Sequence, residues 1–525
     1  MSIEQGARPW AEVSLRHVPA GRRIPGPVHS VSVSIPDVGS MTGFESGDQA
    51  VLRRIPWGYP RFRAHPYVTR VARLVAGEIG GPAEDMVLTC SARAAAAAAA
   101  HAGLAPDAAF EALGVHGVRL PRDASVARTR VREYVQHTGG HLSSRKAEDV
   151  LLTAGLIDAG LIDDPQVGSA PDGDPAASVR EVLSDAYSAR SVADVSLHNS
   201  GMNAVAAAVA ALSEIQRANG RRRWIQLGWI FFDTVSLLEK RVVDVERMVL
   251  PDPFDLAMVA RAAAAQAGEL AGIVVEVPSN PSLQVPDVPA LREIADRAGC
   301  ALVIDATIAT PYNVDVLPYA DVAVESLTKY ATGSADVLMG AAVVNAGSSF
   351  ATRLRDGLAR HGDEPYHRDV ARVAARIRDY AARIDRVNAN AVALARLLQE
   401  SSLVRGVAWP YDARSRANYR KIERRPDAPG GLLMVDLRVP LERAYDRLAV
   451  AKGPSFGADF TMASPQIFVA HFDLLSTPEG RAVLRAHGLH RDMLRISVGT
   501  EDPDQILETF EEVFGSPKSP ASPVG

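Results

Sequence analysis

A lysine amine, a carboxylate and two hydroxyls follow short apolar segments in the second half of the chain. Asp305 ends the apolar run LVID, and Lys329 follows DVAVESLT, in which Ser326 and Thr328 immediately precede it. In open α/β sheets ligands bind beyond the carboxyl ends of strands, where both segments would place these side chains. A lysine can form an exchangeable imine with an aldehyde, a carboxylate can keep a pyridine nitrogen protonated, and hydroxyls can hold a phosphate. These are the requirements of pyridoxal 5′-phosphate (PLP) chemistry.

The segment HNSGMNAVAAAVAAL (198–212) could complete such a site, because Ser200, Gly201 and Met202 begin an alanine-rich helix. Helix N-termini bind phosphates, and glycine lets a ligand approach the backbone closely. Taken singly, each feature also has an ordinary structural explanation. An aspartate at a strand end is typical of turns, Ser-x-Thr-Lys is typical of surfaces, and serine is a common helix cap. The residues alone leave both explanations open.

The elements that would position these residues change in character along the chain. Residues 179–350 alternate helical and short apolar strand-like segments, which predicts an α/β sheet covered by helices on both faces. We see no internal repeat. The predicted organisation is an extended N-terminal arm (1–64), a helical insert (65–165), a PLP-binding α/β domain (166–350), a C-terminal α+β domain (351–513) and a disordered tail (514–525).

Composition excludes several classes of partner. The net charge is −5, from 57 basic and 62 acidic side chains, so no basic surface for nucleic acid or an anionic membrane is expected. The two cysteines, Cys90 and Cys300, are far apart and form no metal-binding motif. No signal pattern or bilayer-length apolar stretch is evident. We therefore expect a cytoplasmic protein without a metal site.

Several motifs together resemble the Cys/Met-metabolism family of PLP-dependent enzymes, the cystathionine γ-synthase family. VIDAT followed by ESLTKYATG is similar to the family signature around its lysine. LHNSGMNAV resembles its phosphate turn, and VEVPSNPSLQVPDVPALREIADRAG, GPSFGADFT and LRISVGTED resemble three further segments. PGPVHSVSVSIPDV and WGYPRF resemble the N-terminal region of the longer, fungal-type members. Residues 65–165 match nothing in the family.

The resemblance implies PLP-dependent fold type I, with a large, mostly parallel seven-stranded sheet domain and a smaller α+β C-terminal domain. It also assigns roles to individual residues. Lys329 would form the Schiff base and move protons, Asp305 would pair with the pyridine nitrogen, and Asn280 would contact the ring hydroxyl. Arg495 and Ser455 would bind the substrate carboxylate, for which the planar guanidinium is suited. The implied phosphate ligands are Ser200, Gly201, Met202, Ser326, Thr328, Tyr59 and Arg61.

Two features of the resemblance bear on assembly and chemistry. In the family, the pair equivalent to Tyr59 and Arg61 reaches the site of a neighbouring subunit. This implies a homodimer with shared active sites, which could assemble further into a homotetramer. At the position where the family stacks a tyrosine on the cofactor ring, GWIFFDT places Phe231. A phenyl ring can stack but has no hydroxyl to transfer a proton, which indicates altered chemistry.

The leading functional hypothesis is γ-replacement on an amino acid that carries a leaving group at Cγ, through a vinylglycine-type intermediate, with a second small molecule as nucleophile. A variant of it is a specialised enzyme that uses S-adenosylmethionine or a carbon nucleophile. The alternative is a Cβ/Cγ lyase that releases a 2-keto acid and ammonia. A non-catalytic regulatory protein of the same fold is a further alternative, although Lys329 and Arg495 are both present.

Overall fold

The computed structural model describes residues 9–122, 124–158 and 173–515. Its first segment, the arm, crosses both later domains. The arm was predicted to be extended with little helix, but a helix begins after each of the capping residues Asp37 and Asp48. The arm contains β1 (Arg23–Ile24), β2 (Ser32–Val33), α1 (Val38–Glu45) and α2 (Gln49–Arg54).

The insert that follows was predicted to be helical, and it also contains a three-stranded antiparallel sheet. The alanine run forms a helix capped by Ser91, as its composition favours. The strands were missed because they are only four or five residues long. The insert contains α3 (Pro66–Ile79), β3 (Met86–Thr89), α4 (Ala92–His101), β4 (Ala109–Ala112), β5 (Val115–Arg119), α5 (Ser125–Thr138) and α6 (Ser144–Thr153). The sheet order is β3-β5-β4.

A seven-stranded sheet dominates the next region, which confirms the predicted α/β fold. Its elements are α7 (Pro175–Tyr187), β6 (Val195–His198), α8 (Gly201–Arg217), β7 (Arg223–Leu227), α9 (Phe232–Glu239), β8 (Glu246–Leu250), α10 (Leu256–Ala265), β9 (Leu270–Glu276), α11 (Val288–Ala298), β10 (Ala301–Asp305), β11 (Val322–Ser326) and β12 (Gly340–Val344). The order is β6-β12-β11-β10-β9-β7-β8, and β12 is antiparallel to both of its neighbours. The other strand pairs are parallel.

Helices cover both faces of this sheet, as the alternating pattern predicts. The first face packs against α8 and α9, and the second against α7, α10 and α11. The central strand β9 is buried along its whole length, which is why its sequence is almost wholly apolar. Because β9, β10 and β11 are paired parallel to one another, their carboxyl ends meet at one edge of the sheet.

The C-terminal domain is the smaller α+β unit that the resemblance implies. Its elements are α12 (Ala351–His361), α13 (His367–Ile377), α14 (Tyr380–Glu400), β13 (Val404–Ala408), α15 (Arg416–Tyr419), β14 (Leu432–Leu437), α16 (Leu441–Tyr445), β15 (Ala451–Lys452), β16 (Met462–Ser464), α17 (Gln466–Ser476), α18 (Pro478–Ala486), β17 (Met493–Ser497) and α19 (Pro503–Phe514). The five strands form one sheet in the order β13-β14-β17-β16-β15. Helices α12 and α13 pack on the large sheet domain.

Two predicted segments fall at the limits of the described chain. Of the predicted tail, Phe514 ends α19, and residues 516–525 lie outside the described residues. The predicted boundary between residues 165 and 166 also lies outside them. No helix in the described part of the chain has both the length and the apolar character needed to cross a bilayer.

Candidate active site

A cavity of about 360 Å³ lies at the carboxyl edge of the large sheet, between that sheet, the C-terminal domain and the arm. Most of the residues that sequence reasoning selected lie on its wall. They are Tyr59, Arg61, Ser200, Gly201, Met202, Phe231, Asn280, Asp305, Ser326, Lys329 and Arg495. The structure thus brings together residues from three separate parts of the chain around one space.

The lysine lies in the turn that follows β11 and faces the cavity. Lys329 Nζ donates a hydrogen bond to Ser455 Oγ at 3.1 Å. It also lies 5.0 Å from the ring centroid of Tyr59 and 4.8 Å from that of Phe456. Burial lowers the pKa of Lys329 to about 7, and the nearby positive charge of Arg61 adds to this effect. A large fraction of the amine is therefore neutral and nucleophilic near pH 7.

Two carboxylates occupy the ends of the adjacent strands. Asp305 ends β10 and is paired in register with Glu276, which ends β9. Burial raises the pKa of Asp305, and hydrogen bonds from Thr307 act in the opposite direction. Burial and the charge of Asp305 raise the pKa of Glu276 well above its usual range. Two acidic groups held this close favour a cationic N–H group in the cavity.

The start of α8 forms an anion-binding turn beside these carboxylates. Ser200 caps the helix by accepting a hydrogen bond from the Asn203 amide at 3.1 Å. A Cβ atom on Gly201 would lie 2.7 Å from Ser326 Cβ, so only glycine fits between the helix and β11. The N-terminal end of α8, where the helix dipole is positive, therefore borders the cavity.

Thr328, which the sequence selected as a phosphate ligand, is not among the described residues that line the cavity. It is buried behind the wall of the cavity, where its hydroxyl accepts a hydrogen bond from the Met339 amide at 3.2 Å. It also interacts with the Tyr59 hydroxyl. Its placement therefore supports the wall of the cavity.

The arm brings Tyr59 and Arg61 into the cavity of their own chain. The resemblance implied that this pair reaches a neighbouring subunit, and in the described chain the pair lines the cavity that contains its own Lys329. The arm packs on the same chain in a cluster that joins Tyr59 to Ala335 and Phe460. Arg61 in addition forms a buried ion pair with Asp233.

Asp233 connects this arginine to the insert. Its Oδ1 atom lies 2.9 Å from His137 Nδ1 and accepts a hydrogen bond from Gln136 Nε2 at 3.0 Å. Although burial acts to raise it, the pKa of Asp233 is lowered by Arg61 and by these hydrogen bonds. Asp233, Gln136 and His137 were not selected from the sequence, because Asp233 and residues 136–137 lie in separate segments of the chain.

Arg495 supplies a second cation on the side of the C-terminal domain. It is buried in β17, and its guanidinium donates hydrogen bonds only to the carbonyl oxygens of Pro454 and Ser455, at 3.4 and 3.2 Å, among the described residues. No acidic side chain in the described ranges forms a salt bridge with it. Burial lowers the pKa of Arg495 to about 9, with Tyr330 partly opposing this effect. A buried, unneutralised guanidinium is suited to bind a ligand carboxylate.

Apolar and amide side chains complete the wall. Phe62, Phe231, Phe232 and Phe456 contribute aromatic surface. Gln466 faces the cavity with a buried Oε1 atom that has no partner among the described residues. The sequence reasoning missed Glu276 and Phe456 as site residues. Both lie within the quoted motifs VEVPSNP and GPSFGADFT, so the motifs could have located them.

The residues present fit PLP. Lys329 offers a partly neutral amine, the turn at Ser200 offers a phosphate site, and Asp305 offers an anion for a protonated ring nitrogen. Asn280 Oδ1 is buried on the wall without a partner in the described residues, as expected of a group that waits for a ligand donor.

Comparisons with known proteins agree with this chemistry. A profile of the Cys/Met metabolism PLP-dependent enzymes matches residues 178–515. The chain is 71% identical over 493 residues to L-2-amino-4-chloropent-4-enoate dechlorinase/desaturase from Streptantibioticus cattleyicolor, covering 94% of this chain and 97% of that protein. It is 35% identical over 327 residues to cystathionine gamma-synthase from Neurospora crassa, covering 60% and 51% of the two chains.

The fold is also similar to that of solved structures. A cystathionine gamma lyase from Micromonospora echinospora matches with a TM-score of 0.55 and 27% identity, over 65% of this chain and 86% of that one. A cystathionine gamma synthase from Xanthomonas oryzae matches with the same TM-score and 20% identity, over 67% and 89%.

Proposed function

The chain belongs to the Cys/Met metabolism family of PLP-dependent enzymes, and we propose that it eliminates chloride from L-2-amino-4-chloropent-4-enoate. The observation that carries this proposal is the 71% identity to a dechlorinase/desaturase over nearly the full length of both chains. Chlorine in this substrate is attached to C4, which is the γ carbon of the amino acid. The expected Cγ leaving group is thus retained, while no nucleophile is required.

The reaction balances without an oxidant. One C–H bond and the C4–Cl bond break, a new carbon–carbon π bond forms, and the proton and chloride leave. The product therefore contains one more unsaturation than the substrate, and no electron acceptor is consumed.

Residues of this chain could hold the cofactor and the substrate for such a step. Ser200, Gly201 and Arg61 would hold the PLP phosphate, and Asp305 would pair with the ring nitrogen. When bound, PLP supplies an electron sink that makes the protons near the amino group removable. Arg495 would bind the substrate carboxylate, since it is buried without an acidic partner among the described residues.

Lys329 is positioned to move protons along the substrate. With a pKa of about 7, its amine can take up and return a proton at neutral pH. The aromatic rings of Tyr59 and Phe456 lie close to its Nζ atom and limit access of water. Exclusion of water favours elimination over hydrolysis of the product.

Phe231 fits chloride as the leaving group. A departing thiolate benefits from a proton donor, which the tyrosine hydroxyl of related enzymes can supply, whereas chloride is a very weak base and leaves as the anion. The missing hydroxyl at Phe231 then costs little. A phenyl ring at Phe231 therefore favours dechlorination over cleavage of a C–S bond.

A product screen tests the proposal. The purified, PLP-loaded protein is incubated with L-2-amino-4-chloropent-4-enoate, and free chloride and the organic product are measured by ion chromatography, mass spectrometry and NMR. We expect chloride and an amino acid that has lost the elements of HCl. The O-acetyl, O-succinyl and O-phospho esters of homoserine, and S-adenosylmethionine, are tested in parallel, each with and without cysteine.

Each alternative outcome identifies another reaction. Cystathionine from a homoserine ester and cysteine, with the chlorinated substrate unchanged, would restore γ-replacement as the function. A 2-keto acid with ammonia would identify a Cβ/Cγ lyase. Either result would overturn the dechlorination proposal while leaving PLP dependence intact.

A further inference from the structure

The insert repeats, in the same order, the elements found at the two ends of the chain segment from α7 to α13. In the insert, α3 is followed by a 3₁₀ turn, β3 and α4 and then, after a second 3₁₀ turn and β4, by β5, α5 and α6. In the second half of the chain, α7 is followed by a 3₁₀ turn, β6 and α8 and then, after the intervening β7–β11 and α9–α11, by β12, α12 and α13. The helices also pack in equivalent pairs, α3 with α6 and α4 with α5 on one side, α7 with α13 and α8 with α12 on the other.

The equivalence extends to single residues. The 3₁₀ turn, the strand and the N-cap serine occupy 83–85, 86–89 and Ser91 in the insert, and 192–194, 195–198 and Ser200 in the large domain. The spacing between the two sets is constant. Ser91 caps α4 by accepting from the amide three residues on, as Ser200 does for α8.

The strand pairing has the same register. Strand β3 pairs antiparallel with β5 so that Met86 faces Arg119 and Thr89 faces His116. Strand β6 pairs antiparallel with β12 so that Val195 faces Val343 and His198 faces Gly340. The loops after α5 and α12 close in the same way. Cys90 N donates to Gly140 O, and the equivalent Asn199 N donates to Asp363 O, both at 2.9 Å.

The two units contact each other reciprocally. Ser91 and Arg93 of the insert bond to the Asp363 carboxylate in the loop after α12. Ser200 Oγ and Asn203 Nδ2 of the large domain donate to Gly139 O and Thr138 O in the loop after α5, at 3.2 and 3.0 Å. Contacts in which each unit uses equivalent elements are the mark of a two-fold interface between like units.

The insert lacks the central part of the large domain. Between α4 and β5 it has only a 3₁₀ turn (Pro106–Ala108) and β4, where the large domain has β7 to β11 and the helices α9 to α11. Asp305 and Lys329 lie at the ends of those strands, so the insert has no counterpart of either. Ala92 and Arg93 stand where the large domain has Gly201 and Met202. The insert thus retains the arrangement of helices and strands but lacks the residues that would take part in PLP chemistry.

We propose that the insert is a shortened internal copy of the PLP-binding framework, which takes the place of a second chain against α8 and completes the cofactor site within one chain. Gln136 and His137 of the insert hold Asp233, and Asp233 holds Arg61 in the cavity. The arm, the insert and the lysine of one site therefore all come from the same chain. This replaces the expectation of a site shared across a homodimer.

A dilution series on the wild-type holoprotein tests this proposal independently of the substrate. Particle mass is measured by mass photometry and sedimentation, and lysine-bound PLP by its visible absorbance, from micromolar to nanomolar protein. We expect single chains to retain the full PLP content and absorbance. Loss of PLP in step with dissociation of a dimer would overturn the proposal.

A protein that remains oligomeric at every concentration is tested with mixed oligomers. Chains that carry Lys329→Ala, and chains that carry Tyr59→Phe with Arg61→Met, are co-expressed with different tags and purified through both. We expect no restoration of the wild-type absorbance relative to the parent variants mixed after purification. Restoration in the doubly tagged species would show that the arm serves a neighbouring chain, which would overturn the proposal.

Discussion

Two serine-capped helices begin on opposite sides of one interface, and the one that begins at Ser200 opens onto the active-site cavity. At Ser200 the next residue is Gly201, and its backbone lies against Ser326 beside Lys329. At Ser91 the next residues are Ala92 and Arg93, and the Asp363 carboxylate closes the turn. The same local backbone is therefore an anion site in one place and a structural joint in the other. The chemistry depends on the strands that bring additional groups to the turn.

The two turns also differ in whether the cationic side chains near them are neutralised by acidic side chains. Arg93 is neutralised by Asp363, whereas Arg495 and Lys329 face the cavity without an acidic partner among the described residues. Buried cations without partners are costly, so they identify a place where an anionic ligand binds. Substitutions around the two turns should therefore have different effects on ligand binding.

Replacement of the unneutralised arginine should have the largest effect. Arg495→Met should raise the KM for the amino acid roughly 30-fold or more, equivalent to about 2 kcal/mol of lost carboxylate binding. PLP loading should be unchanged, which absorbance after gel filtration measures. Arg491→Met, in an exposed salt bridge with Glu442, is the matched control. Equal loss of PLP and substrate binding would contradict the carboxylate role.

The rate at which the apoprotein captures PLP should depend on pH through Lys329. Burial and neighbouring arginines lower its pKa to about 7, and only the neutral amine attacks the aldehyde. The rate should fall about tenfold for each pH unit below 7 and level off above it. In Arg495→Met a positive charge is removed, so the pKa should rise and the whole profile should move to higher pH. A wild-type rate that still climbs beyond pH 9 would contradict the lowered pKa.

A methyl group on the insert should weaken cofactor binding across the interface. Gly139 has a φ of +66°, and an added Cβ would lie 2.0 Å from Ser200 Oγ and 2.8 Å from Asn203 N. Gly139→Ala should raise the Kd for PLP about tenfold, or about 1.4 kcal/mol. Gly155→Ala is the matched control, because φ is +67° there and nothing lies within 4 Å of the added carbon. Both variants should lose a similar free energy of unfolding from the strained backbone. An equal rise in the Kd for PLP in the two variants would show that the insert does not stabilise the cofactor site.

The smallest effect should come from the two capping serines. Ser91→Ala and Ser200→Ala should each lower the free energy of unfolding by about 1 kcal/mol, because each removes one N-cap. Only Ser200→Ala should also raise the Kd for PLP, by a few-fold, or about 1 kcal/mol. Calorimetric titration of the apoprotein with PLP measures the Kd, and denaturant unfolding of the same proteins measures the free energy of unfolding. A similar rise in the Kd for PLP in the Ser91→Ala protein would contradict the prediction that only the Ser200 turn contributes to PLP binding.

The chemical centre could be predicted from sequence because strand ends and their polar residues are local signals. Asp305 and Lys329 each follow a short apolar strand, and such strands place their carboxyl ends at one sheet edge. The family resemblance added Arg495, which no local pattern selects. The structure places all three around one cavity, although their roles stay predictions.

The features that could not be predicted depend on tertiary contacts. The repeat escaped notice because the two copies share framework positions such as Asp85 and Asp194 with few identical residues around them. Burial requires only apolar character at most positions, so a fold can be duplicated while its sequence diverges. Likewise, nothing local to Tyr59 indicates which chain's cavity it enters, since packing against Phe460 decides this.

Chloride release by the full chain tests the central claim most directly. Wild-type holoprotein and Lys329→Ala protein reloaded with PLP are compared on L-2-amino-4-chloropent-4-enoate by the initial rate of free chloride production. We expect one chloride per substrate consumed for the wild type and a rate lower by about 10²–10⁴-fold for the variant. Substrate that the wild type leaves chlorinated, or chloride released equally fast without the lysine, would contradict it.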